Sequence, residues 1–189
     1  MPRNASGDRA AIAGLIWDVL RRRASSAWLM DADTPRARVL GMLRLERGMD
    51  TDAISNLCHG ERFAPEPLSG AERSALTSRS LDDAPTHVAG DYPEWLDAPL
   101  AAVFGDDRVA EATAMASRAP LDLRVNTLKA KREKVLASLR HLGAQETPWS
   151  PIGLRIELGA DARNPGIHAE EDFIKGAIEV QDEGSQLAA

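Results

Sequence analysis

The sequence holds one cysteine, Cys58, so no disulfide can form within the chain and a cysteine-rich zinc site is excluded. Aromatic residues make up only 4%. Large core side chains are therefore scarce, and Leu, Val, Ile and Ala must fill the interior. No apolar run reaches the roughly 18 residues that a membrane-spanning helix needs. Neither G-x-G-x-x-G nor the P-loop pattern occurs, which removes the usual phosphate cradles. His59, His87, His141 and His168 are scattered without an i, i+4 partner, so no metal site is expected. Asp8 and Asp18 interrupt the apolar positions near the start, which reads as a helix of the mature protein rather than a signal peptide. These features suit a monomeric protein of the reducing cytoplasm, with Cys58 as a buried structural thiol.

The net charge is −6, which argues against a chain that coats nucleic acid along its whole surface. Its distribution is uneven. Residues 118–142 carry seven basic groups against two acidic ones, whereas the flanking stretches are acidic. The basic groups are Arg118, Arg124, Lys129, Lys131, Arg132, Lys134 and Arg140. A local positive patch can contact phosphate even on an acidic protein. The alternative is a solvated Lys- and Arg-rich helix face.

Hydrophobic periodicity divides the chain. Ile12, Leu15, Ile16, Val19 and Leu20 recur at helical spacing and predict a helix with that face inward, started by Ser6 or Asp8. Thr34 before Pro35 predicts an N-cap followed by proline at the first helical position, with Val39, Leu40, Leu43 and Met42 inward. A short helix from Asp50 or Thr51 is expected to bury Ile54 and Leu57. Residues 60–91 read as a connector with one short helix near 70–77. Asp91 and Glu94 have capping-box spacing, which predicts a helix burying Trp95, Leu96, Leu100 and Val103, bent or restarted at Pro99. A further helix is expected over about 106–117.

At Pro120 the period changes from 3.6 to 2. Leu121, Leu123 and Val125 alternate with Asp122, Arg124 and Asn126, as in a half-buried strand. An amphipathic helix follows, with Val135, Leu136 and Leu139 inward and Gly143 as its stop. Strands over 144–149 and 153–158, a helix over 168–176 and a strand over 177–181 complete a β-α-β-β-α-β order, the split-βαβ ferredoxin-like arrangement. Arg124 and Asn126 share the strand face away from the core, where a guanidinium can fork onto phosphate and an amide can read a base edge. The stacking aromatics of an RRM sheet are missing from this strand. Residues 182–189 read as the start of a helix with no stop signal, which implies that the sequence is cut before a following domain.

Two stretches carry a family resemblance. PLDLRVNTLKAKREKVLASLRHLGA with SPIGLRIE after it, and AIEVQDEGSQLAA, resemble the Sun/Fmu (RsmB-type) family of ribosomal RNA 5-methylcytosine methyltransferases. YPEWL and VFG within residues 92–105 fit as well. The resemblance implies a NusB-like helical N-terminal part over 1–60, a connector with further helices over 61–118, a substrate-RNA-binding α+β domain over 119–178, and the first residues of a Rossmann-type methyltransferase domain over 179–189. It implies that Arg124 and Asn126 belong to a substrate-side R-x-N motif. It also implies that Gln181, Asp182, Ser185 and Gln186 form a segment at the edge of the cofactor domain. The parent enzyme would use S-adenosylmethionine and a cysteine thiolate against small-subunit ribosomal RNA, whereas this chain carries no cofactor loop and neither family cysteine. A self-standing RNA-binding or antitermination-type module and a protein-interaction domain are the competing readings.

Overall fold

The computed structural model describes residues 5–158 and 165–189. The chain forms two compact units, residues 1–117 and 118–189. The division falls where the hydrophobic period changes.

The first unit is helical among its described residues: α1 (Ala5–Arg21), α2 (Arg23–Met30), α3 (Pro35–Leu45), α4 (Thr51–Leu57), α5 (Gly70–Ser78), α6 (Thr86–Ala89), α7 (Asp97–Phe104) and α8 (Arg108–Ala116). Its starts are set by local chemistry. Thr34 accepts from the N–H of Ala37 with Pro35 at the first helical position, Asp50 accepts from Ala53, and Ser69 with Glu72 forms a complete capping box. The core gathers Met30, Ala37, Leu40, Ile54, Cys58, Ala75 and Leu76. Cys58 is thus a buried core side chain, 4% exposed.

Three expectations about buried faces are corrected here. Ser6 and Asp8 lie inside α1 rather than before it, and Ile12, Ile16 and Leu20 are exposed. Among the described side chains of α1 the buried one is Asp18, which accepts from Arg21 at 2.8 Å and from Arg47 at 2.5 Å. An ion-paired carboxylate, with Leu15 and Val19 half-buried beside it, therefore ties α1 into this unit. Leu57 is also exposed, because α4 ends at that residue. Asp91 does not cap the helix that follows it. With φ at 55° it turns back and accepts from the N–H groups of Ala24 and Ser25 and from the Ser25 hydroxyl, so it caps α2 from 66 residues away. Burial pushes its carboxyl up, against those hydrogen bonds. A 3-10 turn at Glu94–Leu96 then restarts the chain as α7, which leaves Trp95 and Val103 in solvent and Leu96 and Leu100 half-buried.

The second unit follows the expected order: β1 (Leu121–Val125), α9 (Arg132–Ser138), β2 (Gln145–Glu146), β3 (Gly153–Ile156), α10 (Glu171–Ile174) and β4 (Ile178–Val180), with α11 (Glu183–Ala188) after them. The sheet order is β2-β3-β1-β4 with every neighbouring pair antiparallel. Leu123, Val125, Leu154, Ile156 and Ile178 project from the sheet onto Val135, Leu139 and Ile167. Gly143 ends the α9 segment in the left-handed conformation, φ 74°, as its place in the sequence predicts. Residues 179–189 are folded within this unit.

Candidate nucleic-acid interface

The period-2 rule puts Asp122 and Arg124 of β1, Gly153 and Arg155 of β3, and Glu179 of β4 on the sheet face opposite the core. Register then pairs them. Asp122 lies across from Arg155, and Arg124 lies between Gly153 and Glu179. Arg155 forks onto Asp122 with bonds of 2.7 and 2.8 Å. The Asp122 side chain is 3% exposed, so this is a desolvated, bidentate pair.

α11 lies on this face. Asp182 caps it by accepting from Ser185 N–H, and the N–H of Glu183 donates to the second Asp122 oxygen at 3.0 Å. Glu183 itself is buried. One of its oxygens accepts from the N–H groups of Trp149 and Ser150, both at 2.8 Å, and the other faces Arg155 at 3.7 Å. Gln186 accepts from the Ser150 hydroxyl and donates to the Gln181 carbonyl. Gly153 is required underneath: a Cβ there would meet Thr147 Oγ1 at 2.2 Å and Gln186 Oε1 at 3.0 Å. Burial raises the pKa values of Asp122 and Glu183. Hydrogen bonds and the Arg155 charge outweigh it, and both carboxyls sit below their ordinary values.

The eight residues expected to bind RNA are distributed unevenly. Arg124 is ion-paired with Glu179. Asn126 serves the backbone: its side-chain oxygen accepts from Leu128 N–H and its amide donates to the Gly176 carbonyl. Lys129 donates to the Lys175 carbonyl at 2.9 Å. Arg132 donates to the Ser150 carbonyl at 3.1 Å and pairs with Glu146. Arg118 is half-buried just before β1. Lys131, Lys134 and Arg140 are exposed and have no ion pair within hydrogen-bonding distance among the described residues. The acidic run turns toward α9: Asp172 accepts from Ser138, and Glu170 meets His141 at 3.3 Å. Glu171 is held below its usual range by Lys175 first and also by Lys134. The basic segment is thus partly compensated within its own unit.

Of the segment expected at a domain edge, Asp182, Ser185 and Gln186 hold α11, and Gln181 N–H donates to the Asp122 carbonyl. The sequence reading missed Asp122, Arg155 and Glu183. A charged residue on the outer face of a central strand was the available signal for Asp122. Glu183 carried none beyond an acid in a first helical turn.

A four-stranded antiparallel sheet of this order, with α9 and α10 on its core face, defines a ferredoxin-like α+β domain. The methyltransferase RsmF/B-like, ferredoxin-like domain family matches residues 92–163. That match begins before the structural unit does and takes in α7 and α8. The ribosomal RNA small subunit methyltransferase B of Pseudomonas putida strain KT2440 is 29% identical over 136 residues, 70% of this chain and 27% of that protein. The protein of the same name from Pseudomonas syringae pv. tomato strain DC3000 is 34% identical over 101 residues, 52% of this chain and 21% of that protein. Over these stretches the chain is similar to ribosomal RNA small subunit methyltransferase B proteins. It spans about a quarter of the length of these two proteins. The crystal structure of PH0851 covers 87% of the chain, and 36% of its own, at 21% identity with a TM-score of 0.48, below the level at which a shared fold follows. Among the described residues no group of His, Cys, Asp and Glu could hold a metal ion, and no helix is long and apolar enough to cross a membrane.

Proposed function

We propose that this chain is the substrate-RNA-binding N-terminal portion of an S-adenosylmethionine-dependent methyltransferase that modifies cytosine C5 in small-subunit ribosomal RNA. The observation that carries the proposal is the ferredoxin-like unit with its family match, joined to a helical region that we assign as a NusB-like accessory domain. The RNA contacts come from residues 118–140, in which Lys131, Lys134 and Arg140 offer their charges to phosphate. Residues 179–189 lead toward the catalytic domain, and the protein works as a cytoplasmic monomer.

The residues of this chain do not fit the cofactor. The sequence has no glycine-rich strand-to-helix loop, and Cys58 is enclosed in a helical core where a thiol is inert. S-adenosylmethionine would supply the methyl group in the parent enzyme. The test is filter binding of the chain to a structured fragment of small-subunit ribosomal RNA across a salt series, with duplex DNA of equal length as the control. Salt-dependent binding that prefers the RNA is expected. Equal binding to both, or none, would refute the assignment.

A further inference from the structure

Resting on the RNA-binding reading above, we infer that RNA docks at the end of the sheet made by the β1–α9 turn and the α10–β4 turn, with Leu128 and Ile174 as its apolar contacts. An RRM-type domain offers the open face of its sheet. That route is closed here, because α11 occupies the face and its buried Glu183 is bonded to Trp149 and Ser150. No aromatic side chain stands on β1, β3 or β4 to stack a base. RNA must therefore meet an edge or an end of this unit.

One end is built for such contact. Three hydrogen bonds tie the two turns into one surface, and a fourth, Leu128 N–H to Asn126, braces the first turn. Asn126 N–H donates to the Ala177 carbonyl at 2.8 Å, the Asn126 amide to Gly176, Leu128 N–H to the Asn126 side chain, and Lys129 to the Lys175 carbonyl. Gly176, at φ 67°, admits this packing, since a Cβ there would meet the Lys129 ammonium at 2.7 Å. On so fixed a scaffold Leu128 is 95% exposed and Ile174 71% exposed. Rigidly presented aliphatic side chains of that exposure gain only by meeting an apolar surface.

The neighbouring charges select the occupant. Lys129 is anchored through a neutral carbonyl, so no carboxylate cancels its charge at that contact, and Lys131 is exposed two residues further on. Of the nearby acids, Glu171 is paired with Lys175 and Glu179 with Arg124, while Asp172 keeps its charge and turns to the Ser138 hydroxyl and Glu170 turns to His141, both on the α9 side. Fixed positive charge beside two aliphatic side chains fits an unpaired nucleotide, whose base offers an apolar face and whose phosphate offers the anion. Two aliphatic side chains are too few to hold a membrane surface.

The test uses the whole chain and a single-stranded fragment of small-subunit ribosomal RNA. The double variant Leu128→Ser, Ile174→Ser should bind on the order of tenfold more weakly, with an unchanged salt slope, because apolar contacts release no counterions. Lys131→Gln should instead lower the slope by about 0.7. Trp149→Ser, an exposed apolar control elsewhere on the unit, should bind like the parent. Parental affinity in the double variant would overturn this docking site while leaving the RNA-binding reading intact, and would make the turns a protein-facing surface. Absence of RNA binding in the parent chain would overturn both.

Discussion

Asp122, on the central strand, holds the backbone N–H of Glu183 at 3.0 Å from 61 residues away, and the Arg155 fork satisfies the rest of its carboxylate. This contact joins the start of the small domain to its last helix. It makes α11 part of the domain's own packing, because Glu183 then reaches the 149–150 turn and Gln186 reaches Ser150.

Removing the space beneath α11 should loosen the second unit alone. Gly153→Ala places a methyl group 2.2 Å from Thr147 Oγ1, closer than real contacts come, and tightly against Gln186 Oε1 at 3.0 Å. Overpacking of this kind costs about 1–3 kcal/mol. Glu183→Gln should act on the same contact, because it sets amide donors in front of Arg155. In urea, the indole resonance of Trp149, the only tryptophan after residue 117, should report earlier unfolding in both variants while Trp28 is unmoved. A parental midpoint in Gly153→Ala would show that α11 is not seated on this face.

The same carboxylates set a pH dependence. Asp122 and Glu183 have folded-state pKa values below their ordinary ones. A depressed carboxyl stabilises the fold at pH values above its unfolded pKa, and that contribution is lost as pH falls through the folded value. Stability of the second unit should therefore be level above about pH 5 and decline below about pH 4. Arg155→Met should remove the fork and flatten part of that acid limb. Urea midpoints from pH 3 to 7 check it, and an acid limb identical in parent and variant would contradict the role of Arg155.

The order of elements in the second unit was legible because its signals are local. Leu121, Leu123 and Val125 alternate, Val135 and Leu139 fall on one helix face, and Gly143 stops the helix in the conformation that favours glycine. The buried faces of α1 and α7 were not legible. Periodicity names an apolar stripe but not the neighbour that covers it, and within the first unit Asp18 supplies the buried contact instead of Ile12 or Ile16. Asp91 was misread because capping-box spacing to Glu94 is a local signal, whereas its actual partners lie on α2. The basic segment was legible as charge. Its partial neutralisation by Glu146, Glu171 and Glu179 depends on tertiary placement that no spacing encodes.

Asp91 offers a separate test in the first unit. Asp91→Ala removes three bonds at the start of α2 and puts alanine at φ 55°. Loss of a cap costs about 0.5–2 kcal/mol, and alanine lacks the short polar side chain that lets aspartate offset a left-handed backbone. Asp91→Asn keeps an acceptor and tolerates the backbone. Thermal unfolding followed at Trp28 should rank parent, Asn and Ala in falling order. Equal melting of the two variants would mean that neither the cap nor the backbone conformation governs α2.

Arg124 and Glu179 decide whether the sheet edge takes part in RNA binding. Their ion pair crosses two adjacent strands and is partly exposed, so it contributes little to stability. In the free protein it also withholds the guanidinium from phosphate. If Arg124 contacts RNA, binding must first break this pair, and Glu179→Gln should strengthen binding several-fold by removing the competitor and one negative charge. Arg124→Lys should weaken it despite the retained charge, because the planar fork is lost. Lys131→Glu and Lys134→Glu probe the neighbouring surface and should weaken binding steeply at low salt and little at high salt. Filter binding to a structured small-subunit ribosomal RNA fragment across a salt series measures all four. A gain in Glu179→Gln that disappears in the Glu179→Gln, Arg124→Lys double variant assigns the contact to the guanidinium. An equal gain in both backgrounds assigns it to charge alone, and Arg124 is then a structural partner of Glu179 with no role in reading RNA.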